Sequence, residues 1–231
     1  MKKIEMEYLE LKKMLAKMSQ LSTSMIEDSI VSLVDRDSTL AEEVIKRDDE
    51  VDAYDTQIDE FCLKALALYE PKAVDLRFIT TALRIIVDLE RIGDHCVEIS
   101  KEVIKLNQVP PIKPYIDLPK MADSASSMVK NSVTAYFNKD VKLAFSVIKK
   151  DDYIDNLHSQ ILRELITYLA EDIRKTKGAI SLMFITRSLE RIADHATNIA
   201  ELVYFMVTGK IIKHTFFDDN DIEELLGESD E

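Results

Sequence analysis

The 231-residue chain has no tryptophan, only four glycines, five prolines and two cysteines. So few helix breakers, beside long runs rich in Leu, Ile, Val, Ala, Glu and Lys, exclude a strand-and-turn protein and predict an all-α one. Cys62 and Cys96 stand alone without paired spacing, which argues against a disulfide framework or a thiolate zinc site and fits a reducing cytoplasm. Basic charge is also scarce: 30 Lys and Arg against 43 Asp and Glu give a formal net charge of -13. Nucleic acid is therefore not an expected partner, because phosphate binding needs a clustered excess of Lys and Arg. Cations or basic protein surfaces suit the chain better. No apolar run approaches the roughly 18 residues that cross a bilayer, and even the greasy segment from Ile79 is cut by Arg84 and Asp88. The N-terminal lysines are not followed by an apolar stretch, so no ordinary signal peptide is expected, and the chain reads as soluble.

What the sequence does have is itself, twice. Residues 89–96 read LERIGDHC and residues 189–196 read LERIADHA; residues 44–52 read VIKRDDEVD and residues 147–155 read VIKKDDYID. Two matches of this kind in one short chain predict two similar halves. Each box carries acids four apart: Asp48 and Asp52, Glu90 and Asp94, Asp151 and Asp155, Glu190 and Asp194. On a helix that spacing puts both side chains on one face, one turn apart. Asp49 and Asp152, beside the early pairs, and Glu98 and Asn198, which extend the late rows by a turn, are further candidate metal ligands.

Helical periodicity in Leu11, Leu15, Met18, Leu21, Met25, Ile30 and Val34 predicts a first helix over residues 4–34. Asp37 and Ser38 offer caps for a second, over 39–69, and Pro71 suits the first turn of a third, ending near Leu106. Four of the five prolines then fall between Asn107 and Pro119, which marks a linker. A fourth helix is expected over 118–137 and a fifth over about 140–175, with Asn138 and Asp140 as its caps and Gly178 closing it; a sixth runs to about Thr208. The early boxes repeat at an offset of 103 and the late ones at 100, and the turn around Gly178 is the natural place for the three lost residues. The reading is two tandem three-helix bundles, residues 1–106 and 118–209, joined by a Pro-rich linker, 107–117. An acidic tail, 210–231, follows and reads as solvated.

Ile85, Leu89, Ile92, Cys96, Ile99 and Val103 fall on one stripe of the third helix at about 100° per residue, and their twins Ile185, Leu189, Ile192, Ala196, Ile199 and Val203 on the sixth. These are the expected core seams. Glu90 and Asp94 point roughly away from the stripe. Val44, Val51, Ile58 and Cys62 form the buried stripe of the second helix, with Asp48 and Asp52 on its flank. Antiparallel packing of helices two and three would let the early and late pairs meet, giving four carboxylates per half. Gly93 and Ala193, the smallest residues of their boxes, leave room for a helix or ligand to approach.

Converging carboxylates held within about 4 Å repel by on the order of a few kcal/mol unless something offsets the charge. Salt bridges from Arg47, Arg77, Arg84, Arg91, Arg187, Arg191 or Lys150 would do so, and so would a multivalent cation. An oxygen-only donor set suits Fe(III), Mn or Mg, and Zn or Ni less naturally. Buried di-iron bundles use Glu-x-x-His, whereas His95 and His195 lie five beyond the glutamates, so these histidines read as supports or surface residues. His158 and His214 have no constellation around them in the sequence. No nucleophile elbow, phosphate-binding glycine loop or dinucleotide fingerprint is present, and nothing points to catalysis.

Two three-helix halves with these paired boxes resemble the PhoU family of phosphate-uptake regulators over residues 4–208. The resemblance implies a cytoplasmic, often homodimeric protein. It would be a negative regulator and adaptor between the ATPase subunit of the phosphate ABC transporter and the phosphate-sensing histidine kinase, meeting a membrane only through these partners. It also implies a multinuclear transition-metal site, iron first and Mn, Ni, Zn or Mg as alternatives. Its acid pairs fall here on Asp48 and Asp52, Glu90 and Asp94, Asp151 and Asp155, Glu190 and Asp194. A metal-storage protein or a carboxylate-metal phosphohydrolase is the alternative reading.

Overall fold

The computed structural model describes residues 3–212, with side chains from residue 7 onward. His214 and nearly all of the acidic segment 210–231 lie outside the described residues. The described residues form six α-helices and no strand. Their order is α1 (Lys3–Val34), α2 (Ser38–Tyr69), α3 (Val74–Leu106), α4 (Asp117–Asn138), α5 (Val141–Glu171) and α6 (Thr176–Thr208). No glycine or proline interrupts α1 or α2, and the second and fifth helices start alike. Asp37 accepts from the Thr39 and Leu40 amides, and Asp140 accepts from the Leu143 amide, so each satisfies donors that the helix start would otherwise strand.

Two boundaries differ from the sequence reading. Pro71 does not open α3; it lies in an irregular turn, residues 70–73, in which Glu70 (φ 44°) and Ala73 (φ 48°) take positive φ. Gly178 does not close α5. That helix ends at Glu171, Asp172 accepts from the Arg174 amide, and a 3-10 turn, Ile173–Lys175, runs directly into α6, with Gly178 buried inside its first turn. A carboxylate that caps the next helix ends the previous one as effectively as glycine does. Residues 70–73 lie outside any helix in the first half, against Asp172 alone in the second, which is where the three missing residues went.

The predicted seams are buried throughout, from Ile85 to Val103 on α3 and from Ile185 to Val203 on α6, as are Val44, Val51, Ile58 and Cys62 on α2. Of the stripe on α1, Leu21 is only half-buried and Val34 is exposed. Within each half the helices pack as a three-helix bundle, and the bundles join because α3 packs on α6 and α1 on α4. The buried apolar side chains form one continuous cluster from Leu11 to Met206. Tyr136 of α4 is part of the join: fully buried, it stacks on Phe78 of α3 at 4.6 Å and donates to the Phe78 carbonyl at 2.8 Å. The Pro-rich segment is strapped down, since the buried Lys113 pairs with Glu164 of α5 and Arg36 donates to the Asn107 and Val109 carbonyls. Among the described residues no helix is long and apolar enough to cross a membrane.

Candidate functional site

Antiparallel packing of α2 on α3 brings the first pair of boxes together. Asp48 feels the charges of Asp52, Asp94, Glu90 and Asp49, and Glu90 those of Asp94, Asp52 and Asp55. The approach is close because Gly93 has no side chain: a Cβ there would stand 2.7 Å from Asp48 Oδ1 and 3.5 Å from Val51. The neighbour that Gly93 admits is therefore α2. In the second half Asp151 feels Asp194, Asp155 and Asp152, and Asp155 feels Glu190, Asp194 and Asp152. All eight predicted acids thus gather into two clusters of four, one per half. Asp49 and Asp152 are exposed at the edge of each.

Burial, with mutual repulsion added to it, pushes the Asp48 carboxyl up to about 6 and that of Asp151 up to about 7. Glu90, Asp155 and the neighbouring Asp55 are raised for the same leading reason, loss of hydration. Counter-charge is present but small. Arg91 pairs with Asp94 at 2.8 Å and with Glu90 at 3.4 Å, and Arg191 pairs with Asp194 at 2.9 Å, all half-exposed contacts of modest worth. Arg47 turns instead to Asp28, and Arg77 to the carbonyls that end α6. Among the described residues neither Asp48 nor Asp151 has a cationic partner within ion-pair distance. Asp151 Oδ1 is buried with no hydrogen-bond partner, and the facing Thr197 hydroxyl, whose presence favours the ionised form, completes none either.

Two residues that the spacing did not single out belong to these clusters. His158 Nδ1 lies 3.1 Å from Glu190 Oε1, so this histidine has a constellation after all. Its repeat counterpart is Asp55, two turns beyond Asp48 on the same helix face. Glu98 and Asn198 correct the sequence reading in the other direction, because they face the join between the halves. Glu98 Oε2 lies 3.0 Å from His95 Nδ1 and accepts from Ser188 of α6 at 3.1 Å. Asp88 Oδ1 lies 2.8 Å from His195 Nδ1 and accepts from Asn198 at 3.3 Å. The two imidazoles sit 5.7 Å apart between α3 and α6. The histidines of the late boxes therefore stitch the halves together and do not sit on the helix surface.

Carboxylates with scant counter-charge, one of them holding a stranded buried oxygen, suit a hard cation in donor chemistry. Among the described residues no three His, Cys, Asp or Glu side chains are grouped so as to close on a single ion. Asp48, Asp52, Glu90 and Asp94 in the first half, and Asp151, Asp155, Glu190 and Asp194 in the second, are the residues that would hold one.

The family model described as the PhoU domain matches the chain twice, over residues 15–103 and 118–203, each match spanning one complete cluster. The chain belongs to the PhoU family. Its relatives agree with this membership along nearly the whole length. A protein of Aquifex aeolicus named phosphate-specific transport system accessory protein PhoU homolog is 42% identical over 92% of this chain and 96% of its own. The crystal structure of PhoU from Pseudomonas aeruginosa superposes with a TM-score of 0.86 at 34% identity, covering 90% of this chain and all (100%) of that one. The phosphate transport system regulatory protein PhoU from Streptococcus pneumoniae gives 0.83 at 28% identity, over 90% of this PhoU-family chain and 99% of that structure.

Proposed function

We propose that this chain is a non-enzymatic, cytoplasmic negative regulator of phosphate uptake and phosphate-starvation signalling. It acts as an adaptor between the phosphate ABC transporter, through its ATPase subunit, and the phosphate-sensing histidine kinase. The observation that carries this reading is the pair of PhoU domains, shared over most of the chain with relatives named as transport accessory proteins. Each acidic cluster binds transition-metal cations, iron foremost, which offset the charge of Asp48 and Asp151, the acids with no cationic partner among the described residues. A bound cation supplies positive charge on an otherwise acidic rim. The chain's own part is to hold the carboxylates on two rigid helices per half, keep Asp48 and Asp151 partly out of water, and fix the halves through the imidazole stitch between α3 and α6.

Complementation tests the regulatory role. In a bacterial strain deleted for its own PhoU homologue, supplying this chain lowers phosphate uptake and silences the starvation response in phosphate-rich medium. Uptake that stays high while the protein is folded and abundant overturns the reading. Steady turnover of a phosphomonoester by the metal-loaded protein would favour a phosphohydrolase instead.

A further inference from the structure

On the seam between α5 and α6, beyond the second acidic cluster, three large apolar side chains stand out of the protein. Ile166 of α5 is 58% exposed, and Ile180 and Phe184 of α6 are 44% and 53% exposed. They lie together. Asp155 and Asp194 face each other across this seam. Ile166 follows Asp155 by about three turns and Ile180 precedes Asp194 by about four, each within about 40° of the same helix face. The two helices run antiparallel, so both steps lead to the same end of the seam. Phe184 is one turn on from Ile180, and the half-buried Leu162 and Met183 adjoin Ile166 and Ile180 at the same kind of spacing. Arg163, Lys177 and Arg187 border the patch, each three residues from one of its members, and all three are exposed. Among the described residues none of them makes an ion pair.

Duplication supplies an internal control. Asp59 and Glu60 on α2 and Thr80 and Arg84 on α3 stand where the second half has Leu162, Arg163, Ile180 and Phe184. Both halves fold alike, so packing does not call for the exchange. On one half alone, negative charge has been removed from this face and exposed apolar surface added, which is the composition of a docking patch. We propose, building on the adaptor reading above, that this face receives a helix of a partner protein with an apolar ridge and acidic flanks. The groove between two packed helices accepts the ridge of a third. The unpaired cations beside it favour acids on the partner, although the whole chain carries a formal net charge of -13 and repels acidic proteins elsewhere. A flat anionic bilayer is the poorer fit. Laid on this face it would also meet the carboxylate of Glu190, about 9 Å along α6 from Phe184.

The test titrates the full-length protein with a synthetic helix bearing Leu at i, i+3, i+4 and i+7 between rows of Glu, with the same helix bearing Lys for Glu, and with phosphatidylglycerol vesicles. The Glu helix is expected to bind, and the Lys helix and the vesicles are not. A variant given the first half's own residues, Arg163→Glu with Ile180→Thr and Phe184→Arg, should bind the Glu helix about tenfold more weakly. Its melting temperature and metal content should be those of the parent, because all three positions are exposed. In the complementation strain the same variant should lose repression. Equal binding of the Glu and Lys helices, vesicle binding that the variant abolishes, or a variant that represses as the parent does would each overturn the proposal. So would dimerisation of the parent that the variant abolishes, which makes a second copy the occupant. Should the parent chain itself fail to repress, the adaptor reading falls, and the helix titration alone decides the face.

Discussion

At the scale of single residues, the account turns on Asp48 and Asp151, whose carboxyls burial raises to about 6 and about 7. In the unfolded chain both titrate near pH 4. As pH rises from about 4 through about 7 the unfolded state releases these protons first, so without metal each group withdraws stability over that window. Asp151→Asn removes the ionisation, and at pH 8 in chelator the variant is expected to be more stable by about 1–2 kcal/mol, since solvent screens part of the shift. Melting curves at pH 5 and pH 8 check this; a variant no steadier than the parent at pH 8 contradicts it. Gly93→Ala tests the close approach of α2. The clashing atom is the end of the flexible Asp48 side chain, so the fold survives and the helix gains about 0.5–1 kcal/mol of propensity. The displaced carboxylate lowers metal content in elemental analysis. The eight acids were legible because their spacing recurs in both halves. Asp55 and His158 were missed although the same signal was available: each lies seven residues beyond an early acid, on the same face, and they are counterparts in the repeat.

At the scale of elements, a chain with four glycines must turn between helices without them. Arg36 (φ 58°) and Lys139 (φ 56°) take the left-handed position in the α1–α2 and α4–α5 turns, 103 residues apart. Such a residue costs about 1 kcal/mol relative to glycine. Arg36 repays part of that by holding the Asn107 and Val109 carbonyls. Lys139 instead stands close enough to Lys12 to repel it. Lys139→Gly is therefore expected to raise the melting temperature by about 2–4 °C, and a lowered one contradicts the strain. The caps work the other way, and Asp37→Ala or Asp140→Ala should each cost about 1 kcal/mol in thermal unfolding. Helix starts at Asp37 and Asp140 were readable because a side-chain cap leaves a local signature. The end of α5 was not, because Asp172 both stops one helix and caps the next, while Gly178 fits inside α6 with its hydrogen facing Ile112.

At the scale of the whole molecule, duplication shows that two halves exist and is silent on how they pack. The apolar stripes of α3 and α6 read as the seams of separate bundles, yet the buried cluster runs through both halves without a break. The polar stitch from Asp88 to His195 and from Glu98 to Ser188 lies across that join, which is why the sequence could place neither Glu98 nor Asn198 correctly. One core predicts one cooperative calorimetric transition, and two separated transitions would contradict it. The same architecture gives each half its own acidic cluster, so cation binding should be lost from both when one acid of each is removed. Elemental analysis of protein purified from its native host without added salts, alongside the Asp94→Ala, Asp194→Ala double variant, tests this most directly. More than one transition-metal ion per chain in the parent and a loss of most of it in the variant is the expected result. Equal metal in the two, or none in either, would contradict the assignment.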